Sequence, residues 1–72
     1  MGLQKKYYIE IAYEHGGDNY AMQSDWFDTK EKALEWAKKI VWIGDMWDLW
    51  LMSAIFDEKG VVGDYLKEER LG

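Results

Sequence analysis

The chain has 72 residues, no cysteine, no proline, five Trp, five Tyr, two Phe and a formal net charge of −5. That length allows one domain, rules out a disulfide or thiolate–metal staple, and leaves a core that is marginal unless large side chains or a second subunit reinforce it. Fourteen acidic against nine basic residues argue against direct binding of nucleic acid, which needs a positive surface; a basic partner protein is compatible, and so is charge that serves only solubility.

Met1–Lys6 leads at once into a strand pattern, so no secretory signal is expected. Lys6 stands where a myristoylation motif wants Ser or Thr, and no apolar stretch approaches the ~20 residues of a membrane span. The expected setting is the cytoplasm. Lys5–Glu14 alternates: Tyr7, Ile9, Ile11 and Tyr13 form one face, Lys6, Tyr8, Glu10 and Glu14 the other, the mark of a half-buried strand. His15–Asn19 is rich in turn formers, and Tyr20–Phe27 reads as a second strand, making an antiparallel hairpin. Asp28, with Glu31 three residues on in capping-box position, predicts a helix over Thr29–Trp42. Ala33, Leu34, Ala37, Ile40 and Val41 share its apolar stripe, Trp36 is offset from that stripe, and Gly44 is the natural stop.

Trp47–Phe56 is an apolar run that does not alternate. As a strand it turns Trp47, Leu49, Leu51 and Ile55 one way and Trp50, Met52, Ala54 and Phe56 the other. A strand apolar on both sides must be covered on both sides. The single helical segment covers one face, so the other needs a second copy, a partner protein or a folded-back tail. Asp57–Gly60 reads as a tight turn, Val61–Leu66 as a short final strand, and residues 67–72, like 1–4, as frayed tails. The expected fold is α+β with the order ββαββ: a four-stranded, mainly antiparallel sheet in one domain, 1–72, with one helix on one face.

No constellation states a chemistry. His15 is the lone histidine and lies in a Gly-rich turn without partners of ligand type. Gly16-Gly17 lacks the Lys-Ser/Thr of a phosphate loop. No catalytic residue, metal or cofactor is therefore expected, and the reading is non-enzymatic.

Two surface candidates remain. The first is acidic: Glu10, Glu14, Asp25, Asp28, Glu31, Glu35, Asp45 and Asp48. Alternate residues on a strand lie ~6.6–6.8 Å apart, comparable with neighbouring phosphates on one nucleic-acid strand, so an acidic ridge could imitate a nucleic-acid backbone. The plainer reading is that these acids cap the helix, solvate a surface and pair with lysines. The second is apolar: Tyr8, Trp50, Met52 and Phe56 as an exposed patch for a homodimer or an apolar interface.

In its net charge, its Asp25–Glu35 acid series and its wealth of Trp, the chain resembles the small acidic proteins that bacterial viruses make to disable a host protein. Some of those are DNA mimics that inhibit uracil-DNA glycosylase, restriction enzymes or nucleoid proteins. The resemblance implies an inhibitor that occupies the nucleic-acid site of a basic host protein. The alternative is an accessory module that docks through an apolar sheet face, with charge serving solubility alone.

Overall fold

The computed structural model describes residues 2–39 and 46–72. In chain order the elements are β1 (Gln4–His15), β2 (Asp18–Gln23), α1 (Lys30–Lys38), β3 (Met46–Asp57) and β4 (Gly60–Arg70). The four strands form one antiparallel sheet in the order β2-β1-β3-β4. The fold is thus α+β with the expected ββαββ order. The long β1 and β3 are its centre, and the edges are β2 and β4. The expectations for Ile40, Val41, Trp42, Gly44 and Asp45 lie outside the described residues.

The first hairpin turns on Gly16 and Gly17, at φ 62° and 87°. A two-residue loop with both central residues at positive φ matches the twist of the flanking strands, and glycine reaches that conformation at least cost. The second turns on Glu58 and Lys59, whose loop is closed by Asp57: its Oδ1 accepts from Lys59 N at 2.7 Å and Gly60 N at 3.1 Å.

One face of the sheet meets α1. Ile9, Ile11, Leu49 and Leu51 pack there with Ala33, and Tyr7, Phe27, Leu34, Ala37 and Leu71 close the margin. Fully burying an Ile or Leu side chain contributes about 1.5–3 kcal/mol, so this small cluster carries much of the fold. Trp47–Phe56 proves to be a strand with two covered faces. On the far face Tyr8, Met52 and Ala54 are buried within this single chain. The exposed patch expected at Tyr8 and Met52 is therefore absent, and Trp50 and Phe56 are half-buried.

The cover on that face comes from Trp26 and Tyr65. The Trp26 ring stands edge-on to Tyr8 at 4.8 Å and to Phe56 at 4.7 Å between centroids. Tyr65 meets Tyr8 at 5.8 Å and Trp26 at 6.0 Å. Tyr65 reaches the face because β4 bulges: Gly63, Asp64 and Tyr65 all fall opposite Ala54, between the Ile55–Val62 and Ser53–Leu66 pairs. Gly63, at φ 78°, makes the bend. Lys67 and Lys6 complete the layer, their ammonium groups 4.8 Å from the Trp50 ring centre and 5.2 Å from that of Phe56.

Four boundaries differ from expectation, one of them the end of α1, which stops at Lys38 with Lys39 as its C-cap, short of the expected Trp42. β2 ends at Gln23, and Phe27 makes only an isolated bridge to Tyr7. Ser24 causes the break, since its Oγ takes the Ile9 N–H at 2.8 Å in place of a backbone carbonyl. The helix is capped by Thr29, not Asp28: Thr29 is extended (φ −130°, ψ 153°) and its hydroxyl accepts from Lys32 N at 3.2 Å. Residues 67–70 are strand, not tail. They are held by Glu68, which binds Ser53 and Lys5, and by Leu71 N donating to Leu49 O at 2.7 Å.

Candidate functional site

The acidic series divides between the two sides of the sheet. Glu10, Glu14 and Asp48 belong to the face away from α1, alternating with Ile9, Ile11 and Leu49 beneath the helix. Glu10 is half-buried and accepts a long 3.5 Å bond from Gln23 Nε2. Asp48 is an internal group, 19% exposed: Oδ1 lies 3.1 Å from Arg70 Nε, and Oδ2 accepts from Trp50 Nε1 at 2.9 Å. No carboxylate ridge runs along β1, because Ala12 separates Glu10 from Glu14.

Asp25, Asp28, Glu31 and Glu35 lie on α1 and the segment that leads into it, and all four are exposed; Glu31 and Glu35 share one groove. The lead-in is fixed in place. Tyr7 N donates to Phe27 O at 2.9 Å and Phe27 N to Tyr7 O at 2.7 Å, which ties the start of the helix to β1. Ala33 then faces the sheet with no exposed surface. That sets Glu31 and Glu35 one turn apart, a rise of about 6 Å along the helix axis.

Beside these two acids runs a shallow groove of about 370 Å³, lined by Phe27, Glu31, Lys32, Glu35, Trp36 and Lys39. The Phe27 and Trp36 rings lie 6.1 Å apart, tilted by 49°. Trp36 keeps 37% of its surface exposed, in keeping with its place beside the apolar stripe. The groove thus has an aromatic floor and a charged rim. Among the described residues the ion pairs are Lys5–Glu68, Lys30–Glu69 and Arg70–Asp48. None uses Asp25, Asp28, Glu31 or Glu35, and one of the lysines interspersed among them in sequence, Lys30, lies 3.9 Å from Glu69.

Two arrangements escaped sequence reasoning. One is the chain Lys5–Glu68–Ser53: Lys5 Nζ is 2.9 Å from Glu68 Oε2, which also accepts from the fully buried Ser53 hydroxyl. Those two contacts, Ser53 first, hold the Glu68 carboxyl below the ordinary glutamate range, and Glu68 in turn raises the Lys5 ammonium. The other is the aromatic cover on the far face, where burial pushes the Tyr8 hydroxyl up to about 12, with smaller contributions from Glu10 and Tyr65. Gly63 inside a β-like run was the available signal for the bulge that delivers Tyr65.

Among the described residues no three His, Cys, Asp or Glu side chains are grouped to hold a metal, and no helix is long and apolar enough to cross a membrane. Comparison with protein-family models, with curated proteins and with solved structures finds no match.

Proposed function

We propose that this chain is a non-enzymatic binding protein that lays its acidic helix side against the basic, nucleic-acid-binding surface of another protein. The observation that carries the reading is the exposure of four carboxylates, Asp25, Asp28, Glu31 and Glu35, two of which, Glu31 and Glu35, line a groove with the exposed Trp36 ring. The acids supply long-range attraction and fast encounter. Trp36 supplies an aromatic anchor, a residue type enriched among binding hot spots. A cationic side chain of the partner can sit over the Trp36–Phe27 floor with Glu31 and Glu35 at its rim. Targets of the fitting class are nucleoid proteins, polymerases and defence nucleases, and occupation of their nucleic-acid site would inhibit them.

The test is capture of partners by the tagged protein from bacterial lysate, eluted in a salt gradient and identified by mass spectrometry. The reading predicts a basic nucleic-acid-binding protein released at moderate salt, displaced by duplex DNA or RNA, and lost from the variant Glu31→Lys/Glu35→Lys. A partner that resists high salt, or one that the charge-reversed variant still captures, contradicts it.

A second reading, docking of a partner protein on an apolar surface, draws support from β4. This edge strand exposes Val61, Val62, Tyr65 and Leu66, each 39–50% accessible, next to unpaired backbone. Such binding would be nearly indifferent to salt.

A further inference from the structure

We infer that residues 67–72 are an ionic strap that lifts as a unit from one edge of β3 while the rest of the fold stays closed. The ion pairs found among the described residues all grip consecutive positions of this segment. Glu68 pairs with Lys5 of β1, Glu69 with Lys30 of α1, and Arg70 with Asp48 of β3. Lys67 adds a contact over the Trp50 ring, 4.8 Å from its centre. One short stretch of an edge strand is thus fastened by charge to each of the elements around it. Lifting it bares the β3 backbone from Leu49 to Met52, the kind of open edge that folded proteins keep covered.

Little else fastens the segment. Residues 67–70 are exposed, and of the strap's side chains it is Leu71 that reaches the margin of the core. The pairing with β3 is irregular as well. The register slips between Leu51 and Met52 and again between Ser53 and Ile55, on both sides of the Met52–Lys67 and Ser53–Leu66 pairs. Ion pairs this open to solvent hold weakly and are screened by salt. The closed strap also carries a cost at Asp48. Its Oδ1 atom is buried without a hydrogen bond among the described residues, and Arg70 meets it as a charge alone; water that reaches it on opening offsets part of the lost attraction. The body of the sheet differs, since Ile9, Leu49 and Leu51 are almost wholly buried beneath α1. A segment with few buried apolar contacts opens far more readily than the whole fold.

The test is amide hydrogen exchange of the ¹⁵N-labelled full chain, read residue by residue by NMR at fixed pH. Leu71 N donates to Leu49 O at 2.7 Å and Leu49 N to Gly72 O at 3.2 Å, so these amides report the seam. The slowest amides of the β1–β3 pairing report the body of the sheet. At low salt, after correction for intrinsic rates, both seam amides should exchange roughly tenfold or more faster than those of the body, and at rates that match each other within about twofold. Raising NaCl from about 0.05 M to about 1 M should widen the difference severalfold. Glu68→Gln should do the same, because it removes the attraction to Lys5. The salt series on the unaltered chain decides the matter if that variant does not fold. Equal protection of seam and body would show that the segment leaves only with global unfolding. A fast Leu71 beside a protected Leu49 would show fraying and not a strap. A difference indifferent to salt would show that charge does not hold the segment. Each of these results overturns the inference.

Discussion

Thr29 and Asp28 are adjacent and both are good helix-capping residues, so the sequence pattern alone leaves the choice between them to one residue of register. The backbone makes it, because the Phe27–Tyr7 bridge fixes where the chain leaves the sheet. Thr29→Ala should therefore cost about 1 kcal/mol in urea unfolding, while Asp28→Ala stays within about 0.5 kcal/mol. The reverse order would return the cap to Asp28. Glu68 is the other residue with a sharp consequence. Its carboxyl titrates below the ordinary range in the folded state, chiefly through Ser53. Its ionised form thus stabilises the fold above the unfolded glutamate pKa, and that contribution fades as pH falls through the lower, folded value. Ser53→Ala brings the folded value back toward the ordinary one, so acid unfolding followed by Trp fluorescence should begin at higher pH. An acid transition unchanged by Ser53→Ala would show that the buried hydroxyl does not hold the carboxylate.

At the scale of elements, β4 and the β2–α1 link depart furthest from a period-two reading. β4 reads as a short strand followed by a charged tail because it is an edge: all but its first residue are exposed, so no apolar alternation marks its second half. What holds it is specific and distant in sequence, Glu68 to Ser53 and Lys5, Arg70 to Asp48, and such pairings have no local signature. Gly63→Ala tests the bulge. A Cβ there meets nothing within 4 Å, and φ is 78°. The cost is then backbone strain alone, roughly 1–2 kcal/mol, and Gly63→Asn should cost less. Trp26 is the larger piece. It is 38% exposed, so Trp26→Ala should cost about 2–3 kcal/mol, short of the about 3–5 kcal/mol seen when fully buried aromatics are truncated. It should also raise binding of a hydrophobic dye as Tyr8 and Met52 are uncovered. Met52→Lys, which would test a surface patch if Met52 were on the surface, instead forces an ammonium into a site only 5% exposed and should abolish folding.

For the whole molecule, the element order and the single helix were legible, and so was the two-residue spacing of Ile9 and Ile11 and of Leu49 and Leu51; which face of Trp47–Phe56 lies under the helix was not, because both faces are apolar. The need to cover both faces of Trp47–Phe56 was legible too. The means were not: Trp26 lies in a link and Tyr65 beyond a bulge, and neither falls on a regular period. Half of the acidic series was legible in the same sense, Asp25 to Glu35 being close in sequence and all exposed. Asp48 looked equivalent but is consumed by Arg70 and Trp50. Closure of both sheet faces within one chain is the central feature of the structure. Its most direct test is the urea midpoint, read by Trp fluorescence over a hundredfold range of protein concentration. Closure within one chain predicts a midpoint that does not move. A midpoint that rises with concentration would show unfolding linked to assembly and would mean that a second copy, not Trp26 and Tyr65, completes the fold.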